Sequence, residues 1–301
     1  MSFKSGKILL VLATATSLGA CNNNSPTQTP PPDTSKNFDS TGTAKPFLAA
    51  NTVTQTGLAT VNGATHASYD QPSDTITIQR SGTTDVSMTG GVSANPNEAD
   101  LLMFSATGTE QGKAMMATTS NGDGYAVAYR NDTLVSNPEA SVVVGGARST
   151  NGTQRNIAGA TMNGNYLGYA QQTVGGLIGA QNTVTGKVKL QVNSTGNGIM
   201  PGNFISNRQA GNTPLVDVTI GAGVINGNLE FSAIPVSTTG LLGVPASGTM
   251  EGAFYEASPT NVDGEVIGAI TLQGGNLPCV GPNIAVNGAI CVLETGVFVA
   301  K

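Results

Sequence analysis

In the C-terminal half of this 301-residue chain, apolar and polar residues alternate one by one. A period of two admits a strand but not a helix. Val188, Leu190 and Val192 alternate with Lys187, Lys189 and Gln191, and Leu229, Phe231 and Ala233 with Glu230 and Ser232. Met250, Gly252 and Phe254 alternate with Glu251, Ala253 and Tyr255, and Val266, Gly268, Ile270 and Leu272 make a further line. One apolar and one polar face per strand is what a small antiparallel barrel or sandwich requires. About eight to ten such strands fit between Tyr166 and Val299. Gly186, Gly252 and Gly268 suit the bends of a closing sheet, and a closed sheet exposes no edge.

The N-terminal half has the same style with weaker alternation. Thr75-Ile76-Thr77-Ile78 and Tyr125-Ala126-Val127-Ala128-Tyr129 read as strands, and Ser141 to Val144 as a short buried run. Turn signals such as Asn121-Gly122-Asp123-Gly124 and Asn131-Asp132 separate them. Asn95 to Phe104 is the one place where a helical turn fits. Only 10% of the residues are charged, Trp is absent and 40 are Gly, a balance of strands and tight turns. The expectation is an all-β chain with a β-rich domain over 47–156 and an antiparallel barrel of about eight strands over 157–301.

Leu18-Gly19-Ala20-Cys21 closes an apolar run from Ile8 that follows Lys4 and Lys7. The run is shorter than the roughly 20 residues that span a bilayer, and it reads as a secretory signal over residues 1–20. Leu three residues before a cysteine, with small residues between, favours a lipoprotein cleavage site that leaves Cys21 as the acylated N-terminus. A plain secretory signal with a free Cys21 is the rival. Acyl chains, palmitate among them, anchor at about 0.8 kcal/mol per buried methylene. Asn22 rather than Asp after the cysteine favours the outer membrane. Residues 21–46 form a polar, proline-rich tether with too little apolar surface to order itself. The net charge of −5 becomes −7 once Lys4 and Lys7 leave, with 11 basic residues against 18 acidic ones. That acidity and the missing basic patch argue against nucleic acid. Cys279 and Cys291 remain as an even pair whose spacing fits neither a redox motif nor a usual zinc set. In an oxidising compartment they are expected to form a disulfide; two separate buried thiols are the alternative.

The run Ser247-Gly-Thr-Met-Glu-Gly-Ala-Phe-Tyr255, a polar turn, then Asp263-Gly-Glu-Val-Ile-Gly-Ala-Ile270, resembles the closing hairpin of the transferrin-binding-protein B-like lipoprotein barrels. Gly164 to Tyr169, Val184 to Val192 and Leu229 to Ser232 fall in the order of that family's earlier barrel strands. The family's Gly-Pro after Phe-Tyr is replaced by Glu256-Ala257, and Glu265-Val266-Ile267-Gly268 lacks the second Gly of its Gly-Gly pair. The resemblance implies an N-terminal handle beside a barrel, surface exposure and a non-enzymatic receptor for a protein or small ligand. It names no ligand. An outer-membrane transporter or translocator is left open as a further partner. The alternatives are a structural or adhesive envelope lipoprotein and a periplasm-facing binding or assembly factor.

No catalytic constellation, metal set or cofactor motif is legible, and ligand-binding residues are unknown. His66 is the only histidine, so nucleophilic triads would need it; in a polar turn it is ordinarily solvent-facing. Haem ligation by His66 with Tyr69 is the sharper alternative. Asn121 to Gly124 and Asn261 to Glu265 each hold a fragment of a calcium loop without its full signature, and hairpin turns account for them. Gly221-Ala222-Gly223 lacks a dinucleotide-loop context and reads as a bulge or bend, and Met115-Met116 as strand packing. Asp217, Glu230 and Glu251 are expected to be solvated on polar strand faces.

Overall fold

The computed structural model describes residues 45–46, 51–54, 64–70, 73–80, 86–93, 101–106, 112–119, 124–131, 139–146, 157–174, 177–227, 229–255, 264–275 and 290–301. Every regular element among them is a strand. Cys21, Cys279, the signal and all of the tether but Lys45–Pro46 lie outside the described residues.

The first nine strands form one antiparallel sheet. They are β1 (Lys45–Pro46), β2 (Asn51–Thr54), β3 (Ala64–Asp70), β4 (Thr75–Arg80), β5 (Val86–Ser93), β6 (Leu101–Ala106), β7 (Gly112–Thr118), β8 (Gly124–Asn131) and β9 (Glu139–Gly146). From β3 to β9 each strand pairs with the next, and β1 and β2 both add to β9. The ladder thus reaches back to Lys45–Pro46, and β6 stands over the part of Asn95–Phe104 that is described. The sheet curls about its own apolar face. Tyr69, Ile76, Ile78, Met88, Phe104, Met116 and Val127 form one buried cluster there, with Tyr69 edge-on to Phe104.

The second half closes on itself. Its barrel strands are β10 (Thr161–Val174), β11 (Leu177–Gln191), β13 (Gly202–Ala210), β15 (Val218–Ile220), β17 (Glu230–Leu241), β18 (Val244–Tyr255), β19 (Glu265–Gly275) and β20 (Ile290–Ala300). Each pairs antiparallel with the next, and β10 pairs with β20 from Gly164↔Ala300 to Val174↔Ile290, so the eight strands make an up-and-down barrel. The short β12 (Gly198–Ile199) and β16 (Gly223–Val224) pair at one end, and β14 (Thr213–Pro214) pairs with β13 at the other.

The lumen takes every second residue, as the alternation demands. Val188, Leu190, Met250, Val266, Ile270 and Leu272 all lie in its core. Register shifts interrupt several ladders, and one of them breaks the expected alternation. Ala233 has φ of 52° at a register slip between Phe231 and Ile234; it is exposed, and Ile234 and Val236 turn inward in its place. The expected inward position of Ala233 is therefore wrong: one extra residue in the strand shifts the alternation from there on.

A larger departure concerns the outer face. The strands β19 and β20 are buried on both sides for most of their length. Leu167, Tyr169, Ala253, Ile267, Ala269, Val297 and Val299 point out of the barrel and pack on Leu101, Met115, Ala117, Ala126 and Ala128 of the curled sheet. Gly124 permits the approach at one corner: a Cβ there would lie 2.5 Å from the Tyr255 ring. The molecule has three layers of apolar packing, with the sheet-on-barrel layer joining the two halves.

Candidate functional site

A charged cluster sits inside the barrel. The β13 bulge places Asn207 at φ of 51°, opposite Gly186, and the next residue, Arg208, points into the lumen with its side chain fully buried. Its Nη2 donates to Glu294 Oε2 on β20, and its Nη1 donates to the Val216 carbonyl at 2.6 Å. Tyr166 on β10 donates from its hydroxyl to the other oxygen of Glu294 at 2.8 Å. The ring runs along the strand over Gly168 and Gly296, where an added Cβ would stand 2.2 Å from the Tyr166 hydroxyl oxygen. Burial, and then the Glu294 charge, push the Tyr166 hydroxyl well above its usual range. It stays protonated as a donor. Glu294 thus has a partner on each oxygen, an arrangement that offsets the desolvation of a buried charge.

A second buried carboxylate has no such partners. Glu251, on the outward face of β18, is 5% exposed, and its Oε1 has no protein hydrogen-bond partner. Burial alone pushes its carboxyl up to about 7. Nearby on the same face, Gln171 of β10 has neither amide atom paired, and the Thr295 hydroxyl of β20 is likewise without a protein partner. At the edge of this interface Lys113 of β7 lies 5.8 Å from the centroid of the Tyr169 ring, and Thr183 donates to Met103 Sδ at 3.6 Å.

The acidic residues expected on solvated faces divide. Asp217 is partly exposed and accepts from Asn203 Nδ2 at 2.9 Å. Glu230 and Glu251 are buried, which corrects the expectation for both. Glu230 is held by Asn226 Nδ2 at 2.8 Å where the chain turns into β17, and Glu251 lies on the outward face of β18 beside Ala253 and Ala269, which pack on the curled sheet. Glu265 is also buried, paired with Lys301 Nζ at 3.0 Å. Met115 packs between sheet and barrel and Met116 in the curled core, so the pair is packing on two faces. The Gly124 amide bonds to Thr119 Oγ1 at 2.9 Å and its carbonyl accepts from the Thr119 amide, closing the β7–β8 hairpin. Gly223 sits at a close approach, where a Cβ would meet Ile234 Cδ1 at 2.2 Å. The backbone of His66 pairs with Gln79, and its side chain lies outside the described residues. Cys291 is buried at the start of β20. Among the described residues no three His, Cys, Asp or Glu side chains gather as a metal site.

Reading of the sequence missed the Arg208–Glu294–Tyr166 cluster and the covered barrel face. For the second a signal exists: Val266-Ile267-Gly268-Ala269-Ile270 and Val297-Phe298-Val299-Ala300 are unbroken apolar runs, the mark of strands buried on both faces.

No protein-family model and no curated protein matches the chain. Among solved structures, similarity extends to a Trp-176-Ala mutant of transferrin binding protein B from Haemophilus parasuis, at 12% identity and a TM-score of 0.35 over 79% of this chain and 54% of that one. The intact transferrin binding protein B structure described as Ap-TbpB, with its N and C lobes, gives 10% identity and a TM-score of 0.34 over 80% and 68%. A DUF3598-family protein of unknown function from Nostoc punctiforme gives 14% identity and a TM-score of 0.23 over 82% and 92%. This chain spans about half the length of the first of these.

Proposed function

We propose that this chain is a lipid-anchored, non-enzymatic binding protein of the outer membrane, which holds a protein ligand on the loops and outer surfaces of its barrel and curled sheet. The observation that carries the reading is the filled lumen. Tyr166, Phe204, Phe231, Phe298 and the Arg208–Glu294 pair occupy the barrel interior. Recognition therefore falls to the outside, which favours a macromolecular ligand over a small solute. Leu18-Gly19-Ala20-Cys21 and the proline-rich tether support the anchor. A Cys279–Cys291 disulfide belongs to the same reading, with Cys291 buried at the start of β20.

Two measurements on intact cells test it. A clickable palmitate analogue is expected to label the wild-type protein and not the Cys21→Ser variant. Added protease is expected to remove the protein while a periplasmic marker survives. Protection in intact cells, with cleavage of the purified protein, would overturn surface display in favour of a periplasm-facing role. Equal absence of label in both forms would overturn the lipid anchor.

A further inference from the structure

The face between barrel and curled sheet contains polar groups that a permanent interface has no use for. Ladder pairing sets Tyr169 beside Thr295, Thr295 beside Thr271, Thr271 beside Thr249, and Ala269 beside Glu251. Gln171 is one diagonal step from Thr295, and Glu251 one diagonal step from Thr271. These four residues therefore run as an oblique polar file across β10, β20, β19 and β18. Gln171 and Thr295 are fully buried, Thr271 is 4% exposed and Glu251 5%. Neither the Gln171 amide, nor the Thr295 hydroxyl, nor Glu251 Oε1 has a protein partner. Flanking them are Leu167, Ala269 and Val297, which make the rest of the contact apolar. Buried polar atoms in native proteins are nearly always paired, so three unpaired side chains on one face call for an explanation. With the sheet lifted away, all of them would face water.

We propose that the curled sheet is a releasable cover on the β10–β20–β19–β18 face of the barrel, and that ionisation of Glu251 loosens it. Among the described side chains no charge stands against the carboxyl, and burial is the one cause acting on it. On β19 it faces Ala269, with Thr271 to one side; Glu265, further along that face, is committed to Lys301. Glu230 on β17 is held by Asn226. On the sheet, Met115, Ala126 and Ala128 face the barrel, and Lys113 is engaged by Tyr169 and Ser105. Arg130 occupies the register position between Lys113 and Ala140. A proton on Glu251 removes the charge that docking would otherwise desolvate. Covered, the carboxyl titrates near 7 rather than at its ordinary 4.5. Docking is therefore undiminished below about 4.5, weakens about tenfold per pH unit up to 7, and is constant above.

Thiol protection reads this directly. Ala128→Cys puts a reporter in the interface and Ala114→Cys puts one in the curled core; both alanines are fully buried. Alkylation is followed peptide by peptide, each rate divided by that of the same thiol in denaturant at the same pH. Between pH 5 and pH 8, protection at position 128 is expected to fall on the order of a hundredfold, with position 114 unchanged. In a Glu251→Gln background the fall disappears. Should Ala128→Cys not fold, Ala269→Cys reports from the barrel side of the same interface. Protection that is flat with pH overturns the proposal. So does an equal loss at both positions, which would be global unfolding, or a fall that persists in Glu251→Gln.

Discussion

Glu294 and Glu251 are both buried carboxylates in the same barrel, one facing in and one facing out, and their surroundings are opposite. Glu294 has Arg208 on one oxygen and Tyr166 on the other. Glu251 has an unpartnered oxygen and lies beside Ala253 and Ala269, which belong to the apolar contact with the sheet. The first ties β10, β13 and β20 across the lumen; removing Arg208 strands the Glu294 charge, and removing the Tyr166 hydroxyl leaves one of its oxygens without that donor. The second carries its desolvation penalty uncompensated, so removing it relieves the fold. Burial fraction alone does not distinguish the two. What distinguishes them is which neighbours the bulge at Asn207 and the docking of the sheet deliver.

The largest expected effect is on the lumen side. Arg208→Met leaves Glu294 buried without its cation and is expected to cost about 3–5 kcal/mol in denaturant unfolding, while the Arg208→Met, Glu294→Leu double variant recovers most of that. A single variant as stable as the wild type would erase the contrast between the two carboxylates. Next in size is Gly296→Ala. Its methyl would occupy the place of the Tyr166 hydroxyl, so the ring must shift off Glu294, at about 1–3 kcal/mol. The methyl would also stand 2.4 Å from Tyr166 Cζ, so Tyr166→Leu, which removes the ring, should make that substitution cheaper, a non-additivity that a double-mutant cycle measures.

On the outer face the sign reverses and depends on pH. The carboxyl of Glu251 is raised in the folded protein, to about 7 from 4.5. Its penalty is absent below about 4.5, grows between 4.5 and 7, and is constant above. Glu251→Leu is therefore expected to stabilise by up to about 3 kcal/mol more at pH 8 than at pH 4. Thermal melts of both proteins at the two values decide it; a gain equal at both would mean the leucine acts by packing alone.

The barrel was legible in the sequence because its lumen takes alternate residues, and Val188, Leu190, Met250, Ile270 and Leu272 are all where the period of two puts them. The alternation misled only at Ala233, where the bulge inserts a residue with no composition signal of its own. The carboxylates were not legible. Glu294 and Arg208 are 86 residues apart, and Arg208 turns inward because of a backbone irregularity two strands' width from its partner. Glu251 alternates with lumen residues and so reads as outward and wet. It is outward, but the partner sheet that keeps it dry comes from the other half of the chain, beyond any local pattern.

The smallest expected effect concerns the one cation described at this interface. Lys113 stands over the Tyr169 ring and donates to Ser105 at 3.3 Å, and it is partly exposed. Its charge is thus met by a π face and a hydroxyl at the rim while Glu251 stays unmet deeper in the same interface. If the charge matters, Lys113→Met, which keeps most of the stem's packing, should lose about 0.5–1 kcal/mol, and the loss should vanish in a Tyr169→Leu background. Equal losses in both backgrounds would make Lys113 a spacer whose methylenes cover Tyr169. The described part of the interface would then hold its two halves by apolar area, which would leave Glu251, among the described residues, the one charge acting on how tightly they close.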